Sequence, residues 1–277
     1  MSRTVYIITF LSLLALGCKE SGNVSSNDSQ NSSQSQIVEQ KKTKRTIAVL
    51  DSFFQITNIS SAVIEFSSGP MQITAEGDSS SLSHISYDFD GGILTLSTPL
   101  DANNDFKTYP SQNDVVVHVS CPVLKAVAIC SGGGFRSKGL LKSEDFQLGG
   151  MVGGSIDIDS LECKSFRYES NGSTSTHLGN VVCDELVLIS TGEGTITTKV
   201  DARTSAYLDI KGTSTISADI TSPKIENFID TQGAVSYSVS TDDLSIYALN
   251  GSISLKGHAN KQDIQCNPSV VLSNELH

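Results

Sequence analysis

The sequence predicts an all-β fold built as a β-solenoid, and three observations carry that reading. From about residue 129 to residue 266, a small-residue turn, a short strand, a polar corner and a second short strand recur every 18 to 22 residues. Within the strands aliphatic and polar residues alternate, as in Ile156-Asp157-Ile158, Ile216-Ser217-Ala218 and Ile253-Ser254-Leu255. No stretch shows a helical period with caps. A fixed period of this length, made of strands, is the mark of stacked coils that each cover the apolar face of a neighbour.

Residues 1–17 read as a targeting segment. Arg3 supplies a positive start, and Val5 to Leu16 is an apolar run too short to span a bilayer as a helix. The run ends in Ala15-Leu16-Gly17-Cys18, which resembles a bacterial lipobox with Cys18 as the lipid acceptor. An ordinary signal peptide with an incidental cysteine is the alternative. Acyl chains on Cys18 would anchor the protein to a membrane. Residues 18–45 then read as a tether, because Asn, Ser, Gln and Gly dominate from Ser21 to Gln36 and offer little apolar surface to offset ordering. The basic cluster Lys41, Lys42, Lys44 and Arg45 closes the tether; it reads as solvated, with attraction to anionic lipid head groups the sharper alternative.

The solenoid domain is expected over residues 46–268, with an irregular part at 46–121, a repeat part at 122–268 and a tail at 269–277. Ala62-Val-Ile-Glu-Phe, Met71-Gln-Ile-Thr-Ala, Ile93-Leu-Thr-Leu and Val115-Val-Val-His-Val are strands of the irregular part, separated by turns such as Asp90-Gly91-Gly92. Leu100 to Asn113 reads as a projecting loop. In the repeat part, Ile156, Thr174, Ile196, Ile216, Val235 and Ile253 take the first inward position. Phe146, Phe166, Leu186, Leu208, Phe228, Leu244 (or Ile246) and Ile264 take the equivalent place on the second strands.

The net charge is −11, and removing residues 1–17 with their one charge, Arg3, makes it −12. An acidic chain without a basic stripe is a poor nucleic-acid binder. Aromatics make up 6% of the residues and Trp is absent, so platforms for stacking bases or sugars are scarce. Besides Cys18 there are five cysteines, an odd number that excludes full pairing. Cys163 and Cys183 fall one coil apart and read as stacked buried thiols in preference to a bridge. No CxxC pair supports zinc, so no metal or cofactor is expected.

Outward positions line up as Asp157, Ser175, Thr197, Ser217, Ser236 and Ser254. A solvated β face is the plain reading. The sharper one is a flat polar strip, with Asp157, Thr197, Ser217, Ser236 and Ser254 as the candidate binding face for an extracellular glycan or protein ligand. For catalysis, Asp157 and Asp159 form an i, i+2 carboxylate pair near His177, a thin set for glycoside chemistry. Asp88-Phe89-Asp90-Gly91 opens like a calcium loop but lacks the acidic twelfth position, so it reads as a turn.

The order Phe53-Phe54-Gln-Ile, Val63-Ile-Glu-Phe-Ser-Ser-Gly-Pro-Met-Gln-Ile, Gly92-Ile-Leu-Thr-Leu, Val115-Val-Val-His-Val and Cys121-Pro-Val-Leu-Lys-Ala-Val resembles the GIN-domain proteins. The later Ser-Gly-rich turns followed by Ile or Val extend the likeness over nearly all of residues 47–266. The turns at Asn171-Gly172-Ser173 and Lys211-Gly212-Thr213-Ser214 depart from that family's frequent Gly-Ser-Gly. The resemblance implies a right-handed parallel β-solenoid (a single-stranded β-helix) and a role as an adhesin head in secreted or lipid-anchored Gram-negative proteins. It brings no defined functional residues. The expectation is a non-catalytic, lipid-anchored envelope lipoprotein at the outer membrane that binds a ligand. An envelope-structural protein and a carbohydrate-active β-helix enzyme are the alternatives.

Overall fold

Alternating Val, Ile, Leu, Thr and Ser dictate extended backbone almost throughout, and the computed structural model describes residues 42–49, 51–98 and 115–277 accordingly. The expected targeting segment, Cys18, most of the expected tether and the loop expected at Leu100–Asn113 lie outside the described residues. In chain order the strands are β1 (Thr43–Ile47), β2 (Gln55–Ile59), β3 (Val63–Ser68) and β4 (Gln72–Gly77), then a one-turn helix α1 (Ser79–Ser83). There follow β5 (Ser86–Asp90), β6 (Ile93–Ser97), β7 (Val116–Cys121), β8 (Ala126–Ile129), β9 (Gly134–Lys142), β10 (Asp145–Gly150) and β11 (Ser155–Glu162). The last six are β12 (Ser165–Ser170), β13 (Ser175–Ser190), β14 (Thr195–Gly212), β15 (Thr215–Thr221), β16 (Lys224–Cys266) and β17 (Val271–Leu276).

These strands wind into a β-solenoid of about eight turns. Two parallel ladders run along it. The first joins β7, β3, β9, β11, β13, β14, β15 and β16 in that spatial order. The second joins β6, β2, β8, β10, β12, β13, β14 and β16. Strands β13, β14 and β16 serve both because they run around a corner. Core columns follow the ladders: Val117, Ile64, Phe135, Ile156, Thr176, Ile196, Ile216 and Val235 stack in register and are buried.

Two expected core positions move. Thr176, not Thr174, stands between Ile156 and Ile196. Thr174 is buried at the preceding turn, where its hydroxyl donates to the Gly153 carbonyl at 2.9 Å. Phe228 pairs with Asp209 and faces outward; its neighbours Asn227 and Ile229 hold the inward columns. Ile264 is only partly buried, packed against the core.

The irregular part has an order that the spacing of its strands does not reveal. Gln55 of β2 pairs with both Ile93 of β6 and Ala126 of β8, and Val63 of β3 pairs with both Val116 of β7 and Gly134 of β9. The coil made first, β2 and β3, is therefore sandwiched between the coil of β6 and β7 and that of β8 and β9. Beyond β7 the sheet is continued by antiparallel β4 and then β1, while β5 hairpins onto β6. Asp90-Gly91-Gly92 is the hairpin turn, with both glycines at positive φ (57° and 82°), which suits the primed two-residue turns. Helix α1, absent from the sequence reading, starts at Asp78, whose carboxylate accepts from the Ser80 and Ser81 amides at 2.9 Å each.

Both domain boundaries differ from expectation. Thr43–Ile47 pairs with β4, so the end of the expected tether is a strand; its lysine and arginine side chains mark an outermost edge. Residues expected as a tail form β17, in register with Ser252 to Gly257 of β16. Leu272 lies in register with the buried Ile253 and so covers the end of the core column.

Two buried hydrogen bonds cross the core between the ladders. Tyr168 Oη and Thr176 Oγ1 are 2.7 Å apart, and Asn227 Nδ2 donates to Tyr237 Oη at 2.7 Å. Asn227 Oδ1 is buried and has no partner among the described residues. Tyr237→Phe alone should therefore cost about 1–2 kcal/mol, since it strands a buried amide donor as well. The double change Tyr237→Phe, Asn227→Leu should recover most of that loss, and urea unfolding of the two variants measures it.

The five cysteines beyond Cys18 are free thiols, with Cys121, Cys163 and Cys183 buried and Cys266 exposed. Cys163 and Cys183 occupy adjacent coils: the Cys163 amide donates to the Val182 carbonyl at 3.0 Å. Burial pushes both thiols up to about 12, and Cys121 and Cys130 up to about 11. At pH 8, iodoacetamide should alkylate Cys266 first among these five and reach the others only after unfolding, as peptide mass spectrometry would show.

Candidate ligand-binding faces

Each ladder turns one set of side chains to the core and the other outward, so each outer face is a flat array repeating at about 4.8 Å from coil to coil. On the first ladder, the register places Arg136, Asp157, His177, Thr197, Ser217 and Ser236 in one exposed row. Ser254 continues on the next stretch of β16, opposite Ser273. Asp157, Thr197, Ser217 and Ser236 thus stand in one row, with His177 in the place given to Ser175. Ser175 belongs to the neighbouring row and lies 3.2 Å from Thr195 Oγ1. Sequence spacing missed this for the same reason it misplaced Thr174, a two-residue slip along one strand.

The row changes character along the axis. Toward the amino-terminal end, His118 pairs with Glu65 and Glu65 with Arg136, so charged groups replace hydroxyls. His118 Nδ1 is 3.3 Å from Glu65 and its Nε2 is 3.9 Å from Glu76. Toward the other end, the hydroxyls of Thr197, Ser217 and Ser236 make no hydrogen bond among the described residues and stand free. Asp157 and Asp159 have different neighbours. Asp159 accepts a hydrogen bond from the Gly139 amide at 2.9 Å and sits beside the bulge between Ile158 and Ser160, whereas Asp157 lies in register with Arg136 and His177. Among the described residues, no three His, Cys, Asp or Glu side chains gather at metal-binding range.

The outer face of the second ladder is different and was not anticipated. Tyr207, Phe228 and Tyr247 point outward in successive coils, with Phe228 and Tyr247 stacked at 5.8 Å between ring centroids and 29° between planes. Val187 and Ile189 extend the apolar strip as half-buried residues. Charged pairs flank it: Lys211 Nζ is 2.8 Å from Asp209 and 5.1 Å from the Phe228 ring, and Lys224 is 2.8 Å from Glu226.

Comparison with known proteins decides the family. A family model described as "Putative auto-transporter adhesin, head GIN domain" matches residues 52–199. The chain belongs to this GIN-domain family. No curated protein matches it. Solved structures share this fold at low identity. A crystal structure of a "putative adhesin" from Parabacteroides distasonis aligns with TM-score 0.69 and 16% identity, covering 86% of this chain and 97% of the other. One of a "putative adhesin" from Parabacteroides merdae aligns with TM-score 0.67 and 17% identity over 86% and 96%. A third, a "putative lipid binding protein" from P. distasonis, has TM-score 0.57 and 17% identity over 85% and 98%. The family model stops at residue 199, so the aromatic strip of this GIN domain lies beyond the matched segment.

Proposed function

We propose that this protein is a non-catalytic adhesin head, a ligand-binding module carried on the bacterial envelope by lipid on Cys18 and a tether. The observation that carries the reading is the pair of rigid outer faces whose side chains are not consumed by the fold, above all the free hydroxyl row of Thr197, Ser217 and Ser236. Membership of an adhesin-head family supports it, as do the lipobox-like Ala15-Leu16-Gly17-Cys18 and the polar segment behind it. A solenoid suits the task because each coil is held by its neighbours, so the array is preorganised and little ordering entropy is spent on contact.

The test has two parts. Cys18→Ala should move the protein from the membrane fraction to the soluble fraction. Protease applied to intact cells should remove the domain, and cells lacking it should adhere less to glycan- or matrix-coated surfaces. Retention of Cys18→Ala in membranes would contradict the anchor. A domain cut only after lysis would contradict external adhesion.

A further inference from the structure

Aromatic side chains that fill no core need another reason to sit on a sheet, and three do so here in consecutive coils. Tyr207 is 40% and Tyr247 48% exposed, and their hydroxyls have no hydrogen-bond partner among the described residues. Tyr207 lies opposite Glu226, so it is diagonal to Phe228, and Phe228 stacks on Tyr247. The rings thus form a strip one ring wide that steps along the solenoid axis. At its end the strip meets a corner groove of about 550 Å³ lined by Gly212, Asp230, Gln232 and Asn250 among others. There the Asn250 amide donates to Asp230 at 2.6 Å and its carbonyl accepts from the Ser269 hydroxyl at 3.2 Å, leaving the second Asp230 carboxylate oxygen to other partners.

We infer that this strip, with its corner groove, binds a neutral glycan chain laid along the axis; the inference rests on the adhesion reading and names its ligand class. The chemistry selects the occupant. Pyranose rings present C–H faces that pack on aromatic rings, and their edges carry vicinal hydroxyls that carboxylate and amide groups bind in pairs. Phe228 is covered by Tyr247 and Lys211 and supports the strip, so the exposed Tyr207 and Tyr247 supply the first kind of contact, two coils apart. Asp230, Asn250 and the two tyrosine hydroxyls supply the second. Charge argues against an anionic glycan: Asp209, Glu226 and Asp230 outnumber Lys211 and Lys224, and the cations are already paired with Asp209 and Glu226. Shape argues against a protein, because a stable protein partner needs roughly 800 Å² per side, and a strip one ring wide between charged pairs does not offer that.

The experiment titrates the purified protein with cellohexaose, chitohexaose and mannohexaose by calorimetry, with oligogalacturonate as the anionic control. At least one neutral chain should bind, and oligogalacturonate should not. Tyr207→Ala and Tyr247→Ala, both at exposed positions that the fold does not need, should each weaken binding at least tenfold, about 1.4 kcal/mol. Tyr247→Phe should keep part of the affinity through stacking. Failure of every neutral chain to bind, undiminished binding by the Tyr207→Ala, Tyr247→Ala double variant, or a preference for oligogalacturonate would overturn the assignment. If cells still adhere while no glycan binds, the ligand class falls and the adhesion reading stands. If the purified protein binds glycan while cells lacking it adhere as well as wild type, the reverse holds.

Discussion

Ile216→Asp should unfold or nearly unfold the solenoid. Ile216 is 1% exposed and stands in register between Ile196 and Val235, so a carboxylate there would have an apolar side chain above and below. Two costs add: the lost burial of an isoleucine, and the transfer of a charge, or of a proton taken up to neutralise it, into a site without a partner. Together they come to about 5 kcal/mol, comparable to the whole stability of many domains. Because each coil contacts only its neighbours, the damage should open the stack locally and propagate toward the ends. Urea unfolding followed by circular dichroism would show it as a large fall in midpoint or as loss of the strand signal. Ile216→Val should cost only about 1 kcal/mol.

Gly172→Val should come next, through the backbone rather than the core. A Cβ on Gly172 would lie 1.0 Å from the Met151 carbonyl oxygen of the preceding coil. Backbone cannot rotate away as a side chain does, so the turn would have to separate from the coil beneath it. That resembles severe overpacking, at about 3 kcal/mol. The comparison is Gly132→Ala, where a Cβ meets nothing within 4 Å, and which should change stability by less than about 0.5 kcal/mol. Equal losses in the two variants would mean that the turns are not stacked as described.

Much of this architecture was legible because a coil has to repeat its own chemistry. Ile196, Ile216 and Val235 recur at nearly constant spacing since each must cover the one before it. The hydroxyl row from Thr197 to Ser236 follows from strict alternation on the same strands. Where the alternation runs through residues that suit either side, it misleads. Thr174 and Thr176 are both buried, and nothing in their chemistry says which one continues the column. Phe228 looked like core because an aromatic ring at a strand position is usually inward, and the buried polar Asn227 beside it hid the true register. The nesting of β2 and β3 between later coils was not legible at all. Parallel pairing joins strands far apart in sequence, and no local signal says which partner lies on which side. The aromatic strip escaped notice for a related reason: Tyr207, Phe228 and Tyr247 are scattered in the chain and meet only when the coils are stacked.

The central claim is the in-register stacking itself, and spin labels on the exposed row measure it directly. With Cys266→Ser as background, nitroxides at Thr197→Cys and Ser217→Cys should lie one coil apart, and those at Thr197→Cys and Ser236→Cys two coils apart, with backbone separations of about 4.8 and 9.6 Å. The first pair should show strong dipolar broadening and the second clearly weaker broadening. Two pairs with equal coupling, or a first pair with none, would contradict a solenoid wound in this register.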